Sequence, residues 1–324
     1  MRIAVLTTSY PRSPGDPAGH FVQAETRALC RAGHDVWVIA PGEHGSVVTG
    51  SPNLVWLASG SAFGWPGVAA RLRENPLRAL GVAAYFAAAG RELYERGPFD
   101  RIVAHWLVPS GFPLALAAPG KGELEVVAHG SDVRLLLKAP RLARFALQRL
   151  LARGATLRCV SQELADALVR LEPRAAPSTR VEACALDVPP IERARARAEL
   201  AAGDDPLLVY AARLVDGKRP EAALRSAALL PFARCVVIGD GPRRAALERQ
   251  FPSAEFLGTV DRDVCLRWLA AADLVLSAST AEGAPSVVRE ARTLGTTVVA
   301  RSAGDLGAWS ESDDCLYVLA GESA

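Results

Sequence analysis

The chain has 324 residues, half of them apolar and 22% charged, which is globular composition in a length that calls for two domains rather than one. A formal net charge of only +2 gives no whole-molecule field for a nucleic-acid partner. The six cysteines are scattered without a C-x-x-C pair and no histidine follows His129, which argues against a structural zinc site and for reduced thiols.

The opening MRIAVLTTSYP runs straight into an apolar strand, without the h-region of an export signal, and no run of about 18 uncharged apolar residues occurs. A cytoplasmic location is therefore expected. In chain order, RIAVLTT, HDVWVIAP, FDRIVAHW, ELEVVAHG and GATLRCVS read as short strands buried on both faces of a parallel sheet. Helical stretches alternate with them, the first being FVQAETRALCRAG, where Gly33 stands at the usual left-handed cap. From Gly45 to Gly97 no clear period emerges.

After CALDVPP the charged, alanine-rich IERARARAELAAGDDP ends in turn chemistry, so a boundary is expected near 188, giving domains 1–188 and 189–324. The rhythm restarts with PLLVYAARL, ARCVVIGDGP, AEFLGTV, ADLVLSAS and TTVVAR. The fold class is α/β, with two doubly wound parallel-sheet domains facing a central cleft.

Polar groups gather where strands end, which is where open α/β sheets bind ligands. In AEGAPSVVRE, Glu282 lies on a loop before a helix whose first turn suits Pro285, and Glu290 lies one to two turns inside that helix. Arg213 and Lys218, across a turn at Gly217, form a cation pair suited to a diphosphate, or else an ordinary solvated pair; their strand-end position favours the former. Gly239 and Gly241 in IGDGP allow a close backbone approach, although Arg244 occupies the place of a third fingerprint glycine. His105 and His129 each end an apolar run. His105 reads as structural, whereas His129, followed by Gly130, Ser131 and Asp132, reads as functional.

Gly15 and Gly19 precede the first long helix, in a loop that can receive an anion or a sugar hydroxyl or can simply connect. Asp261 and Asp263 are similar to an aspartate metal signature but read better as the N-cap of a helix, so no metal is assigned. From Arg134 to Arg153 there are six arginines and lysines and no acid, a face that can rest on anionic lipid or can pack its leucines inward, the second being the ordinary outcome. No G-x-S-x-G elbow supports a hydroxyl-nucleophile triad.

These segments together, from SYPRSPGDPAGHF through HGSDV, AARLVDGK and the E-x7-E element, resemble the retaining GT-B glycosyltransferases of family 4 over nearly the whole chain. The resemblance implies two Rossmann-like domains, with a nucleotide-sugar donor held mainly by the second and a glycan or lipid-linked acceptor mainly by the first, as in polysaccharide biosynthesis. It implies that Arg213 and Lys218 bind the diphosphate, Glu290 the ribose, and Glu282 the donor sugar. The amides of Gly283, Ala284, Pro285 and Ser286 at the helix start would add to phosphate binding, Pro285 contributing position only since it has no N–H. His129 would face the transferred sugar, and Gly15 and Gly19 would lie near the donor phosphates and acceptor. No cofactor, metal or nucleic acid is implied.

The chain departs from the family pattern at Ala212 and Arg219, where glycines are usual, and at Cys184, Ala185, Leu186 and Asp187, where N-G-V-D is usual. It ends at LYVLAGESA, where relatives typically continue into further helices. Rival readings are a sugar-nucleotide-binding protein without transfer and a nucleotide-sugar epimerase on the same fold.

Overall fold

The computed structural model describes residues 1–13, 15–59, 62–63, 68–120 and 122–319. Pro14 of the early glycine loop and the last five residues of the C-terminal segment lie outside them. The chain divides into two compact units, one of Met1–Ser13 and Ala18–Ala185, the other running from Leu186 and including residues 15–17.

The first unit contains, in order, β1 (Arg2–Leu6), α1 (His20–Arg31), β2 (Asp35–Gly42), β3 (Ser46–Val48), β4 (Asn53–Ala58), α2 (Val68–Glu74), α3 (Arg78–Arg96), β5 (Arg101–His105), β6 (Glu123–Ala128), α4 (Ser131–Leu137), α5 (Pro140–Ala152), β7 (Thr156–Cys159), α6 (Gln162–Leu171) and β8 (Thr179–Val181). Its sheet has the order β3-β4-β2-β1-β5-β6-β7-β8, parallel except where β3 meets β4. Ile3, Ala4, Val5 and Leu6 are all buried, so β1 is covered on both faces, which is why its sequence is a continuous apolar run without alternation.

The stretch without a clear sequence period contains β3, β4, α2 and α3. On α3 the buried stripe is Tyr85, Ala89 and Leu93, at helical spacing, but alanines on every side of the helix hide it in the sequence. Tyr85 is fully buried, and its hydroxyl donates to the Thr7 carbonyl just past β1 at 2.8 Å.

The second unit contains α7 (Arg193–Glu199), β9 (Leu207–Ala211), α8 (Pro220–Ala228), β10 (Arg234–Ile238), α9 (Arg244–Gln250), β11 (Glu255–Gly258), α10 (Arg262–Ala271), β12 (Leu274–Ser277), α11 (Ser286–Thr293), β13 (Thr297–Arg301), α12 (Leu306–Ser310) and β14 (Leu316–Leu319). Its sheet is parallel, in the order β11-β10-β9-β12-β13-β14. Along β9, Leu207, Val209 and Ala211 pack with α10 and α11 on one face, while Leu208 and Tyr210 pack with α8 and α9 on the other. That alternation between two apolar faces is the physical content of a doubly wound sheet.

Tyr85→Phe leaves the Thr7 carbonyl without its donor and is expected to cost about 1 kcal/mol, while Tyr85→Ala also opens a cavity and should cost about 3–5 kcal/mol. Urea unfolding of the two variants beside the parent chain checks both the order and the gap.

Candidate functional site

In the second unit the order of strands reverses between β9 and β12, which are hydrogen-bonded neighbours. At such a reversal the loops leaving the two strand ends diverge to opposite faces and open a crevice. The loop after β9 carries Arg213, which is exposed, and then a short turn, Asp216–Lys218. The loop after β12 carries Glu282 and leads into α11. Lys218 Nζ and Glu282 Oε1 are in direct ion-paired contact across the crevice.

Two further bonds hold this arrangement. The Tyr210 hydroxyl donates to the Lys218 carbonyl at 3.0 Å, and the Thr280 amide donates to the Gly217 carbonyl at 3.2 Å. Burial pushes the Tyr210 phenol pKa up, and the negative charge of Glu282 adds to that, so this anchor stays a neutral hydrogen-bond donor. Pro285 stands immediately before α11, with Glu282, Gly283 and Pro285 buried and Ala284 and Ser286 half-buried.

Glu290, on α11, is buried and pairs with Arg262 of α10 at 2.9 Å, while Arg262 also donates to the Asp187 carbonyl at 3.0 Å. Nothing in the local pattern around Arg262 marks its pairing with a carboxylate on another helix. Asp261 does precede α10, but its side chain makes no capping hydrogen bond, contrary to the N-cap expectation. It lies beside Gly15 instead, where a Cβ would come within 2.5 Å of the Asp261 carboxyl carbon. The Gly15 carbonyl accepts from the Arg262 amide at 2.9 Å.

Gly239 and Gly241 do permit close approach, and the approach observed is to the chain's own backbone. A Cβ at Gly239 would fall 2.0 Å from the Ala212 carbonyl oxygen, and one at Gly241 would fall 2.3 Å from that of Leu214. The pair therefore packs the β10 turn against the loop that carries Arg213.

In the first unit the reversal lies between β1 and β5. His105 ends β5 and His129 follows β6, the adjacent strand. Their rings stack with centroids 5.3 Å apart, and His105 Nδ1 lies 3.1 Å from His129 Nε2. The histidine read as structural thus contacts the one read as functional. Phe21 and Trp106 enclose His129, with ring centroids at 5.0 and 4.8 Å. Gly19 begins α1 at φ 67°, with the Ser9 carbonyl where a side chain would be.

Asp132 organises this loop pair. Its buried carboxylate accepts backbone N–H groups from Leu107 at 2.6 Å, His129 at 3.1 Å, Gly130 at 2.9 Å and Val133 at 3.0 Å. Burial raises the Asp132 pKa, and these amides work against that rise. The Leu107 bond secures a turn in which Trp106 has φ 72°, a region non-glycine residues seldom occupy.

Behind the histidines lies a charge network. Arg158 is bound to Glu25 and, at 2.5 Å, to Glu125, which also meets Arg101 and Arg180. Burial raises the Glu25 pKa against the pull of Arg158; burial also opposes ionisation of Glu125, but there Arg158 and Arg101 prevail and its pKa falls. Burial, reinforced by Arg158, pushes the His105 pKa down to about 3, and burial, with His105 and Arg158, drives that of His129 well below its usual value. Both rings are therefore neutral near pH 7. Donor atoms of His105, His129 and Cys184 lie within 4.8 Å of one another, a set of zinc-binding type. A divalent ion there would face the Arg158 guanidinium, which already supplies this cluster with positive charge.

On α4 and α5 the leucines divide. Leu147 and Leu150 turn inward with Ala143 and Ala146, so Leu150 does not share the outer side with Leu142 and Phe145. Leu135, Leu142 and Phe145 are 61%, 55% and 51% exposed, and Arg134, Lys138, Arg141 and Arg144 are exposed among them. Among the described residues no helix is long and apolar enough to cross a membrane.

Two doubly wound units, each with its polar groups at the strand-order reversal, make up a fold of the GT-B type. Residues 18–184 match the glycosyl transferase 4-like domain and residues 205–322 match glycosyl transferases group 1, and the chain belongs to that family. It is 26% identical over 327 aligned residues to a Bacillus subtilis protein named as the teichuronic acid biosynthesis glycosyltransferase TuaC, covering 94% of this chain and 82% of that one. Among solved structures it is similar to sucrose-phosphate synthase from Thermosynechococcus elongatus, with TM-score 0.73, 20% identity, and 99% and 86% of the two chains covered. It is also similar to Anabaena HepE in complex with UDP and glucose, with TM-score 0.69, 19% identity, and 100% and 86% covered.

Asp132→Asn replaces one acceptor oxygen by an amino group facing backbone donors, and a loss of about 1–3 kcal/mol in folding stability is expected. Chemical denaturation measures it, and an unchanged midpoint would remove Asp132 from this organising role.

Proposed function

We propose that the chain is a retaining hexosyltransferase that moves a sugar from a nucleoside-diphosphate donor to a hydroxyl of a glycan or lipid-linked acceptor, without a bound metal. The observation that carries this reading is the Lys218–Glu282 contact at the reversal between β9 and β12. A primary ammonium has three donors, so Lys218 can hold Glu282 and still offer hydrogen bonds to a diphosphate. Glu282 presents carboxylate oxygens to sugar hydroxyls in the same crevice. Glu290, oriented by Arg262, takes the ribose hydroxyls.

Cleaving the sugar–phosphate bond puts positive charge on the anomeric carbon and negative charge on the leaving diphosphate. Arg213, Lys218 and the start of α11 favour that charge-separated state over the bound ground state. With these cations in place the reaction needs no metal to neutralise the leaving group. Retention follows from attack on the same face as departure, the leaving phosphate taking the acceptor proton. Glu282 then positions the sugar and forms no covalent bond. The acceptor falls to the first unit in this reading, with His129 as its candidate polar group. The complex of HepE with UDP and glucose, and the naming of TuaC for teichuronic acid biosynthesis, support trying UDP-hexoses and glycan acceptors first.

Glu282→Gln and Lys218→Ala should each lower transfer about a hundredfold while circular dichroism stays that of the parent. Parental rates in both variants would reject the reading. Stabilisation by a nucleotide sugar with no transfer to any acceptor would indicate a binding protein, and release of an altered sugar without acceptor would indicate an epimerase.

The reading includes a cytoplasmic enzyme resting on the inner face of the cell membrane through α4 and α5. Exposed Leu135, Leu142 and Phe145 supply the apolar contact, and the surrounding arginines and lysine match anionic headgroups. Sedimentation with phosphatidylglycerol vesicles is expected at low salt and not at high salt, with Leu142→Ser and Phe145→Ser weakening it. Absence of binding at low salt would end this part of the proposal.

A further inference from the structure

The helix α3 is apolar on two opposite sides. Tyr85, Ala89 and Leu93 form the buried side. On the other side Leu77, Leu80, Ala84, Ala87, Arg91 and Tyr94 are all exposed, with Leu77, Leu80 and Tyr94 at 73%, 71% and 69%. Leu77 belongs with them because its backbone is already helical, at φ −63° and ψ −20°. Successive members stand three or four residues apart in strict alternation, which keeps them in one stripe and is the spacing with which one helix packs along another. A surface helix is ordinarily polar on the side turned from the core, so a second apolar stripe calls for a cover.

Charge decides what that cover is. Every charged side chain of α3 is paired along the helix: Arg78 with Glu74 at 2.9 Å, Arg91 with Glu95 at 2.7 Å, and Arg96 with Glu92 at 2.6 Å. The stripe therefore has no net charge to draw it to anionic lipid, unlike the face of α4 and α5. Its one charged member, Arg91, lies off-centre. Two copies of α3 lying parallel would set one Arg91 against the other. Lying antiparallel about a two-fold axis between Ala84 and Ala87, they set Arg91 of each copy against Leu80 of the other, and Tyr94 against Leu77. The two guanidiniums are then separated by the helical rise from residue 80 to residue 91, about 16 Å, or about twice the screening length at physiological salt. Each Arg91 lays its aliphatic stem on a leucine and keeps its charged head on Glu95 at the rim.

We infer that the outer side of α3 is a self-association surface that joins two copies of this chain through an antiparallel, two-fold symmetric helix pair. The inference stands apart from the glycosyl-transfer reading. A helix of 19 residues is about 28 Å long, and the strip it covers lies at the small end of specific interfaces. The dimer is therefore reversible and depends on concentration.

Sedimentation velocity of the full chain reads the assembly. The parent is expected to be dimeric at about 100 μM and monomeric near about 1 μM. Leu80→Arg puts a second guanidinium opposite Arg91 and should leave monomer at both concentrations. Adding Arg91→Leu to Leu80→Arg exchanges the two positions, and the dimer should return, a rescue that the parallel arrangement does not give. Both positions are exposed, so circular dichroism and the urea midpoint should stay parental. Should Leu80→Arg fold poorly, Tyr94→Asp at the end of the stripe is expected to weaken the dimer about tenfold or more.

A parent that is monomeric at about 100 μM overturns the inference. So does a dimer that survives Leu80→Arg or Tyr94→Asp, and so does a double variant that stays monomeric. Cosedimentation of a monomeric parent with uncharged phosphatidylcholine vesicles, lost in Leu80→Arg, would overturn it by giving the stripe to a membrane.

Discussion

The contact between Lys218 and Glu282 is the interaction on which the chemistry proposed for the second unit depends. It joins loops from β9 and β12, two neighbouring strands whose connections leave toward opposite faces. Without ligand each charge satisfies the other, so neither is left bare in a half-buried crevice where an unpaired charge would be costly. A bound donor offers both partners a replacement, diphosphate for the ammonium and hydroxyls for the carboxylate. The pair thus keeps the crevice polar and assembled while remaining exchangeable. Its backbone supports from Tyr210 and Thr280 stay in place whether or not the side chains change partners.

The first unit meets a different requirement at its own reversal point. Here the candidate group, His129, is neutral, and neighbouring groups set its orientation and its charge state. Asp132 does the first, by gathering four amides from the two loops that carry the histidines. Arg158 and its two carboxylates do the second at a distance, because their charges set which form of each buried group is stable. A network this dry is sensitive to any unpaired member, which explains why Arg158 carries acidic partners on both sides.

How much of this was legible depended on whether the signal lay along the chain or across it. The strands of both units show in the sequence because each is buried on two faces and so reads as an unbroken apolar run. The helix α3 does not, since its alanines make every face equally apolar and only Tyr85 and Leu93 mark the buried side. Glu282, Lys218 and His129 stand out as polar residues at strand ends. Arg262, Glu25 and Arg158 do not, because their partners lie on other elements and nothing in the local pattern marks a buried arginine. Gly239 and Gly241 were legible as points of close approach, but the sequence could not say that the approaching group would be the chain's own backbone. The outward turn of Leu142 and Phe145 was hidden for a related reason: helical spacing assigns residues to faces, but only packing decides which face meets the core.

The pairing of Arg262 with Glu290 shows why such cross-chain contacts matter for chemistry and not only for folding. A buried carboxylate beside one guanidinium has a defined orientation. Hydroxyls of a ribose ask for directional acceptors rather than for net charge, and they lose little if the carboxylate is already paired. A phosphate in the same place would be repelled by Glu290 and attracted by Arg262, so the pair as a whole is close to neutral toward it. The loop that carries Lys218 also carries the exposed Arg213. In the proposed function charge sorts the parts of a nucleotide sugar: the diphosphate goes to the strand-end cations, and the sugar alcohols to the paired acids.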